Sequence, residues 1–148
     1  MTRTVLKTLA MIVVALSVAV PAKAAPDAVA YELQERCGKR ASEVSHRKFS
    51  DQRKADTLLD YQSNYSALYN KCYMMVITIT FSSSKVDGKM HQYDTRYMID
   101  VNTNAGVGSF VTDTAMSIPM TCKVQQTVCK SKEEWIGLAS KFMGDIPE

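Results

Sequence analysis

The sequence predicts an α+β domain: an N-terminal helix packed on an antiparallel meander of four or five strands, closed by a short C-terminal helix and stapled by two disulfides. Three observations predict it. Apolar residues recur at helical spacing from Asp27 to about Phe49 and again after Ser131. Between these stretches, runs that alternate with period two are separated by Asp-Gly and Asn/Gly-rich turns. Cys37, Cys72, Cys122 and Cys129 all fall in this region, an even set in a chain that opens with an export signal.

The opening segment reads as processing rather than structure. Arg3 and Lys7 precede the apolar run Leu9–Val20, and Ala22-Lys23-Ala24 places small residues where a signal peptidase cuts. The run is about a dozen residues, short for a bilayer span. We expect residues 1–24 to be a signal peptide, leaving residues 25–148 as one periplasmic or secreted domain without a stable membrane anchor. Export also changes the charge argument. The full chain has 18 Lys+Arg against 15 Asp+Glu. Arg3, Lys7 and Lys23 leave with the signal and no acidic residue does, so the mature chain balances 15 against 15. That removes the net basic surface on which nucleic-acid binding depends.

The first helix is expected over Asp27 to about Phe49. Ala30, Leu33, Cys37, Ala41 and Val44 build one apolar stripe, and Glu32–Arg36, Glu35–Lys39 and Glu43–Arg47 are acid-first pairs four residues apart. Cys37 lies on the stripe and points to the core. Gly38 either weakens the helix or marks a close approach of the sheet. Thr57–Asn70 fits a helix by its Tyr61, Tyr65, Tyr69 spacing and a strand by its tyrosine content, and we read it as a strand. Cys72–Phe81, CYMMVITITF, is the central strand. Tyr73, Met75, Ile77, Ile79 and Phe81 share one face, and Cys72, Met74, Val76, Thr78 and Thr80 share the other.

After the turn Val86–Lys89 comes a strand over Met90–Val101. Its Tyr93, Thr95, Tyr97, Ile99, Val101 face is expected to be buried, and its Asp94, Arg96, Met98, Asp100 face wet. Asn102–Gly106 is a turn, Val107–Thr112 a short strand, and Asp113–Pro119 a loop. Met120–Val124 forms a last strand. Ser131 and Glu134 form a capping box for a helix whose stripe is Trp135, Leu138, Ala139 and Phe142, with Gly144 at its C-cap. Three cysteine pairings are possible; Cys37–Cys72 and Cys122–Cys129 are favoured.

The chemistry this sequence offers is sparse. His91 and Asp94 fall on opposite faces of a strand, and His46 lies among Arg47 and Lys48. CxxC, HExxH and GxSxG motifs are missing from the sequence, so neither a cofactor nor a metal is expected. The seven methionines of the mature chain read as core filler rather than copper ligands. The tyrosines Tyr61, Tyr65 and Tyr69 read as core-edge residues rather than a platform for sugars. One feature reaches outward: Arg36, Lys39, Arg40, Arg47, Lys48, Arg53 and Lys54 cluster in a short stretch against Glu43 and Asp51. They form either a solvated helix face or a patch for an anionic partner such as an acidic protein surface, lipid headgroups or a cell-wall polymer.

The runs ELQERCGKRASEV, YQSNYSALYNKCYMMV and CKVQQTVCKSKEEWIGL resemble a set of small exported bacterial proteins of unknown function. These carry a Cys-Gly in an N-terminal helix, an Asn-Lys-Cys before an apolar strand, and a Cys–Cys pair before a Trp-containing helix. The resemblance supports the disulfide framework and implies no activity. The functional expectation is an exported binding or interaction protein, an inhibitor or an envelope-associated module being two such forms. The alternative is a small periplasmic hydrolase built from dispersed Asp, Tyr and His91.

Overall fold

A computed structural model describes residues 28–52, 56–83 and 88–146. The signal peptide expected over residues 1–24 lies outside them, as do Arg53 and Lys54 of the basic cluster. The chain runs α1 (Ala28–Phe49), a 3-10 turn (Ser50–Gln52), β1 (Thr57–Ser66), β2 (Lys71–Ser83), β3 (Met90–Asp100), β4 (Gly106–Asp113), β5 (Thr121–Val124), β6 (Thr127–Val128) and α2 (Lys132–Met143). The strands form one antiparallel sheet in sequence order, β1-β2-β3-β4-β5-β6. The α+β class, the meander and both helices match the expectation; the sheet has six strands rather than four or five. The extra strand is β6. Gln125 takes a left-handed conformation (φ 51°), which turns the chain back on β5, and the Cys122–Cys129 bridge closes the hairpin. Two residues are too few for a periodic signal.

The helices lie on opposite sides of the sheet. On one side Cys37, Ala41 and Val44 of α1 pack against Cys72, Met74 and Val76 of β2, with Ile99 and Val101 beside them. On the other, Trp135, Ala139 and Phe142 of α2 pack on Tyr73, Met75, Met98 and Phe110. The first half of β2 is therefore covered on both faces, as its near-continuous apolar run requires. The pairings Cys37–Cys72 and Cys122–Cys129 are both formed, with Cα separations of 5.4 and 5.0 Å.

The segment Thr57–Asn70 resolves as a strand and a tight turn. β1 is an outer strand, and α1 blunts its open edge. The Gln34 side-chain amide donates to Ser63 O (3.1 Å) and accepts from Tyr65 N (2.7 Å), standing in for the missing neighbouring strand. A Cβ at Gly38 would meet Ser63 Oγ at 3.8 Å, an ordinary contact, so no close approach demands that glycine. Tyr61 and Tyr65 pack against the α1-side core as core-edge residues, and Tyr69 stacks on Phe142 with ring centres 4.9 Å apart.

The α2 N-terminus is capped as its sequence predicts. Ser131 Oγ accepts from Glu134 N at 3.2 Å, while the Glu134 carboxylate reaches back to Lys130 N at 2.8 Å. Gly144 ends the helix at φ 68° and donates to Ser140 O. Asn64 Nδ2 donates to Phe142 O at 2.8 Å and ties the end of α2 to β1.

One expectation is overturned in part. The β3 face expected to be wet is buried, with Asp94, Arg96, Met98 and Asp100 all inside; the face expected to be buried is so at Ile99 and Val101, while Tyr97 is 40% exposed. The reason is tertiary. α2 lies on that side and brings Lys132 to Asp94 (3.5 Å), which also pairs with Arg96 (3.4 Å). Asp100 is buried because Lys71 and the following turn bond to it. Among the methionines, Met74, Met75, Met98 and Met143 are core filler, but Met90, Met116 and Met120 are more than half exposed.

Candidate functional site: a trough on the open side of the sheet

α1 lies over β1, β2 and the Ile99 end of β3, and among the described residues no helix covers the same side of the rest of β3, β4 and β5. Antiparallel register determines what lines it. Val76, Tyr97, Ser109 and Lys123 stand in one cross-strand row. Thr78, Thr95 and Val111 stand in the next, and Thr80, Tyr93 and Asp113 in the one beyond. Side chains in a row share a face of the sheet, so this surface is a ladder of hydroxyls and rings.

Two hollows meet on it. One, of about 350 Å³, lies against the end of α1 and is lined by Phe49, Gln52, Thr78, Thr95, Tyr97 and Ser109. The other, of about 210 Å³, is lined by Tyr97, Gly106, Ser109, Lys123 and Gln125. Tyr97 and Ser109 border both, so the two hollows lie side by side from the last turn of α1 to β5, and together they are called the trough. A β-bulge shapes its rim. Met98 pairs with Gly108 but Ile99 with Gly106, which leaves Val107 as the extra residue. The bulge brings Gly106 under the Tyr97 ring. A Cβ there would sit 2.7 Å from Tyr97 Oη, so only glycine leaves the ring in place.

The described members of the basic cluster, Arg36, Lys39, Arg40, Arg47 and Lys48, are all exposed on α1. Arg36 is paired with Glu32 (2.6 Å) and Lys39 with Glu35 (2.9 Å). The Glu35–Lys39 hydrogen bond holds that carboxyl below its ordinary value and that ammonium above it. Arg40, Arg47, Lys48 and Lys123 have no ion-pair partner among the described residues. Arg36, Arg40 and Arg47 recur at spacings of four and seven, which puts them on one flank of the helix. Arg36 and Arg40 border a notch of about 130 Å³ over the Cys37–Cys72 bridge, opposite Asn70 and Asn102. Arg47 and Lys48 immediately precede Phe49, a wall of the trough. The cluster is thus not one patch: its uncompensated part is the C-terminal half of α1, where it also complements the helix dipole.

The acidic residues of β3 and β4 are disposed differently from Asp51 and Asp56, which are exposed and line a hollow beside Thr78 and Thr80. Asp94, Asp100 and Asp113 are buried and bonded. Asp113 accepts from Ala115 N (2.9 Å) and faces His91 Nδ1 at 2.5 Å, and these bonds, the Ala115 amide first, hold its carboxyl below its ordinary value. The His91 ring stacks on Tyr93 with centroids 6.2 Å apart. His91 and Asp94 do fall on opposite faces. The true partner of His91 is Asp113, on the neighbouring strand, a pairing set by a turn and a one-residue bulge that sequence periodicity does not reveal. Sequence reading also missed the trough residues Tyr97, Ser109 and Lys123. The period-two pattern that places Tyr97 with Thr95 and Tyr93 was legible, but the side of the sheet on which α2 docks was not.

Among the described residues no group of three or more His, Cys, Asp or Glu is placed to hold a metal ion. No described helix is long and apolar enough to cross a membrane. Compared with known protein families, with curated proteins and with solved structures, the chain matches none.

Proposed function

We propose that the mature chain is an extracytoplasmic binding module that takes an anionic partner on the side of the sheet bearing α1. The observation that carries this reading is the division of charge. Lys123 stands in the trough and Arg47 and Lys48 adjoin its other end, while Asp94, Asp100 and Asp113 are turned inward and bonded. Asp51 and Asp56 line a neighbouring hollow with Thr78 and Thr80, so the basic stretches are the α1 flank from Arg40 to Lys48 and the Lys123 end of the trough, and local charge governs encounter with a charged partner. Two formed disulfides support the compartment, since such bonds persist outside the reducing cytosol.

The test is direct binding of a labelled polyanion to the mature protein, at low and at physiological salt. Reversal of charge at the three unpaired helix positions (Arg40→Glu, Arg47→Glu, Lys48→Glu) is expected to weaken binding about tenfold or more and to flatten its salt dependence. Affinity unchanged by the reversal would remove the reading.

A second reading, a small hydrolase, is favoured by one observation: the carboxylate of Asp113, fixed by Ala115 N, orients the His91 imidazole as a general base is oriented. It requires an ester- or amide-cleaving rate that falls on both His91→Ala and Asp113→Asn.

A further inference from the structure

Resting on the reading just given, we propose that the trough takes an acidic glycan strand, lying across β3, β4 and β5 with a sugar ring on Tyr97 and a carboxylate at Lys123. Four observations converge on this ligand class rather than on an acidic peptide. First, the floor of the trough is the face of a sheet whose backbone groups are engaged in the β2–β3 and β3–β4 ladders. An extended peptide would find no main-chain partners there, and strand addition needs an open edge.

Second, the polar groups offered are the hydroxyls of Thr78, Thr95 and Ser109. Each both donates and accepts, which matches a polyhydroxylated ligand. Third, Tyr97 is 40% exposed and lines both hollows. A flat aromatic face there suits the apolar face of a sugar ring. Fourth, the charge fits. Lys123 has no ion-pair partner among the described residues, and the Asp113 carboxylate on this face is already committed to His91 and Ala115 N.

The rigidity of the rim fits the same use. Gly106 lets the Tyr97 ring lie where both hollows meet, and Gly108 packs its backbone against Lys123 O, where a Cβ would come within 3.2 Å. A ring held by backbone loses little freedom when a ligand stacks on it.

The experiment compares three probes on the disulfide-intact mature protein: polygalacturonate oligomers, neutral dextran oligomers, and polyglutamate of matched charge. Polygalacturonate is expected to bind best, and Tyr97→Ala and Lys123→Glu are each expected to weaken it about tenfold or more. Lys123 is exposed, so its reversal reports on binding even where the tyrosine variant loses stability; thermal melts of both variants accompany the titrations. Polyglutamate binding as tightly as polygalacturonate, with Tyr97→Ala harmless, would overturn the glycan inference and leave the anionic-partner reading standing. Dextran binding equal to polygalacturonate, with Lys123→Glu harmless, would overturn the acidic part. No binding of either polyanion would overturn both.

Discussion

Asp100 shows how one residue can be buried, charged and stabilising at once. It sits at the end of β3, where Lys71 Nζ reaches it at 2.9 Å and the amides of Asn102 and Thr103 donate to it at 2.9 and 3.2 Å. Burial pushes its carboxyl up, but the Lys71 ammonium and the two turn amides outweigh that and hold it below the ordinary carboxylate value. The Lys71 ammonium is raised by the same bond. A carboxyl lowered in the folded state contributes stability above its unfolded value and loses it as the pH falls through the folded one. Asp113, also lowered, acts in the same direction. The denaturant midpoint is therefore expected to fall as the pH is lowered from about 5 to about 3 and below. Asp100→Asn is expected to lower it at neutral pH and to flatten that slope. A variant with the full wild-type slope would show that this turn does not carry the acid sensitivity.

At the scale of elements, α1 and β3 mark what was and was not legible. The apolar stripe of α1, the two covered faces of β2 and the capping box of α2 could be read from spacing alone, because each is set by residues adjacent on one element. The faces of β3 could not. Tyr93, Thr95 and Tyr97 look more apolar than Asp94, Arg96 and Asp100, yet α2 lies on the charged face and pairs it through Lys132. The His91–Asp113 pair spans two strands and depends on a bulge, and one residue of register would send Asp113 to the other face. The edge of β1 gives a prediction at this scale. Gln34 replaces two ladder bonds there, so Gln34→Ala is expected to cost about 1–2 kcal/mol, measured as a shift in denaturant midpoint. Gln34→Glu keeps only an acceptor and is expected to retain the bond from Tyr65 N while losing the one to Ser63 O. If both variants match the wild type, Gln34 is no edge guard.

The whole molecule is a sheet with a helix on each side and a bridge under each helix. Cys37–Cys72 fixes α1 to β2, and Cys122–Cys129 closes the β5–β6 hairpin that leads into α2. By loop entropy these bridges contribute about 4 and about 2–3 kcal/mol, a large part of the roughly 5–15 kcal/mol that holds a typical domain together. Reduction is therefore expected to unfold the protein or to lower its melting temperature sharply, and an unchanged melt in reductant would contradict this. The same bridges position the surface proposed to bind. Cys37–Cys72 seats α1 over β1, β2 and the Ile99 end of β3, and among the described residues the rest of that side of β3, β4 and β5 carries no helix.

The central claim, that this open side is the binding face, is tested most directly by mapping backbone amide shifts of the mature protein on titration with polygalacturonate. The account predicts that shifts concentrate at Thr95–Tyr97, Ser109–Val111, Lys123 and the end of α1 around Arg47–Gln52. Shifts confined to the α2 side, around Trp135 and Phe142, or no shifts at saturating ligand, would contradict it.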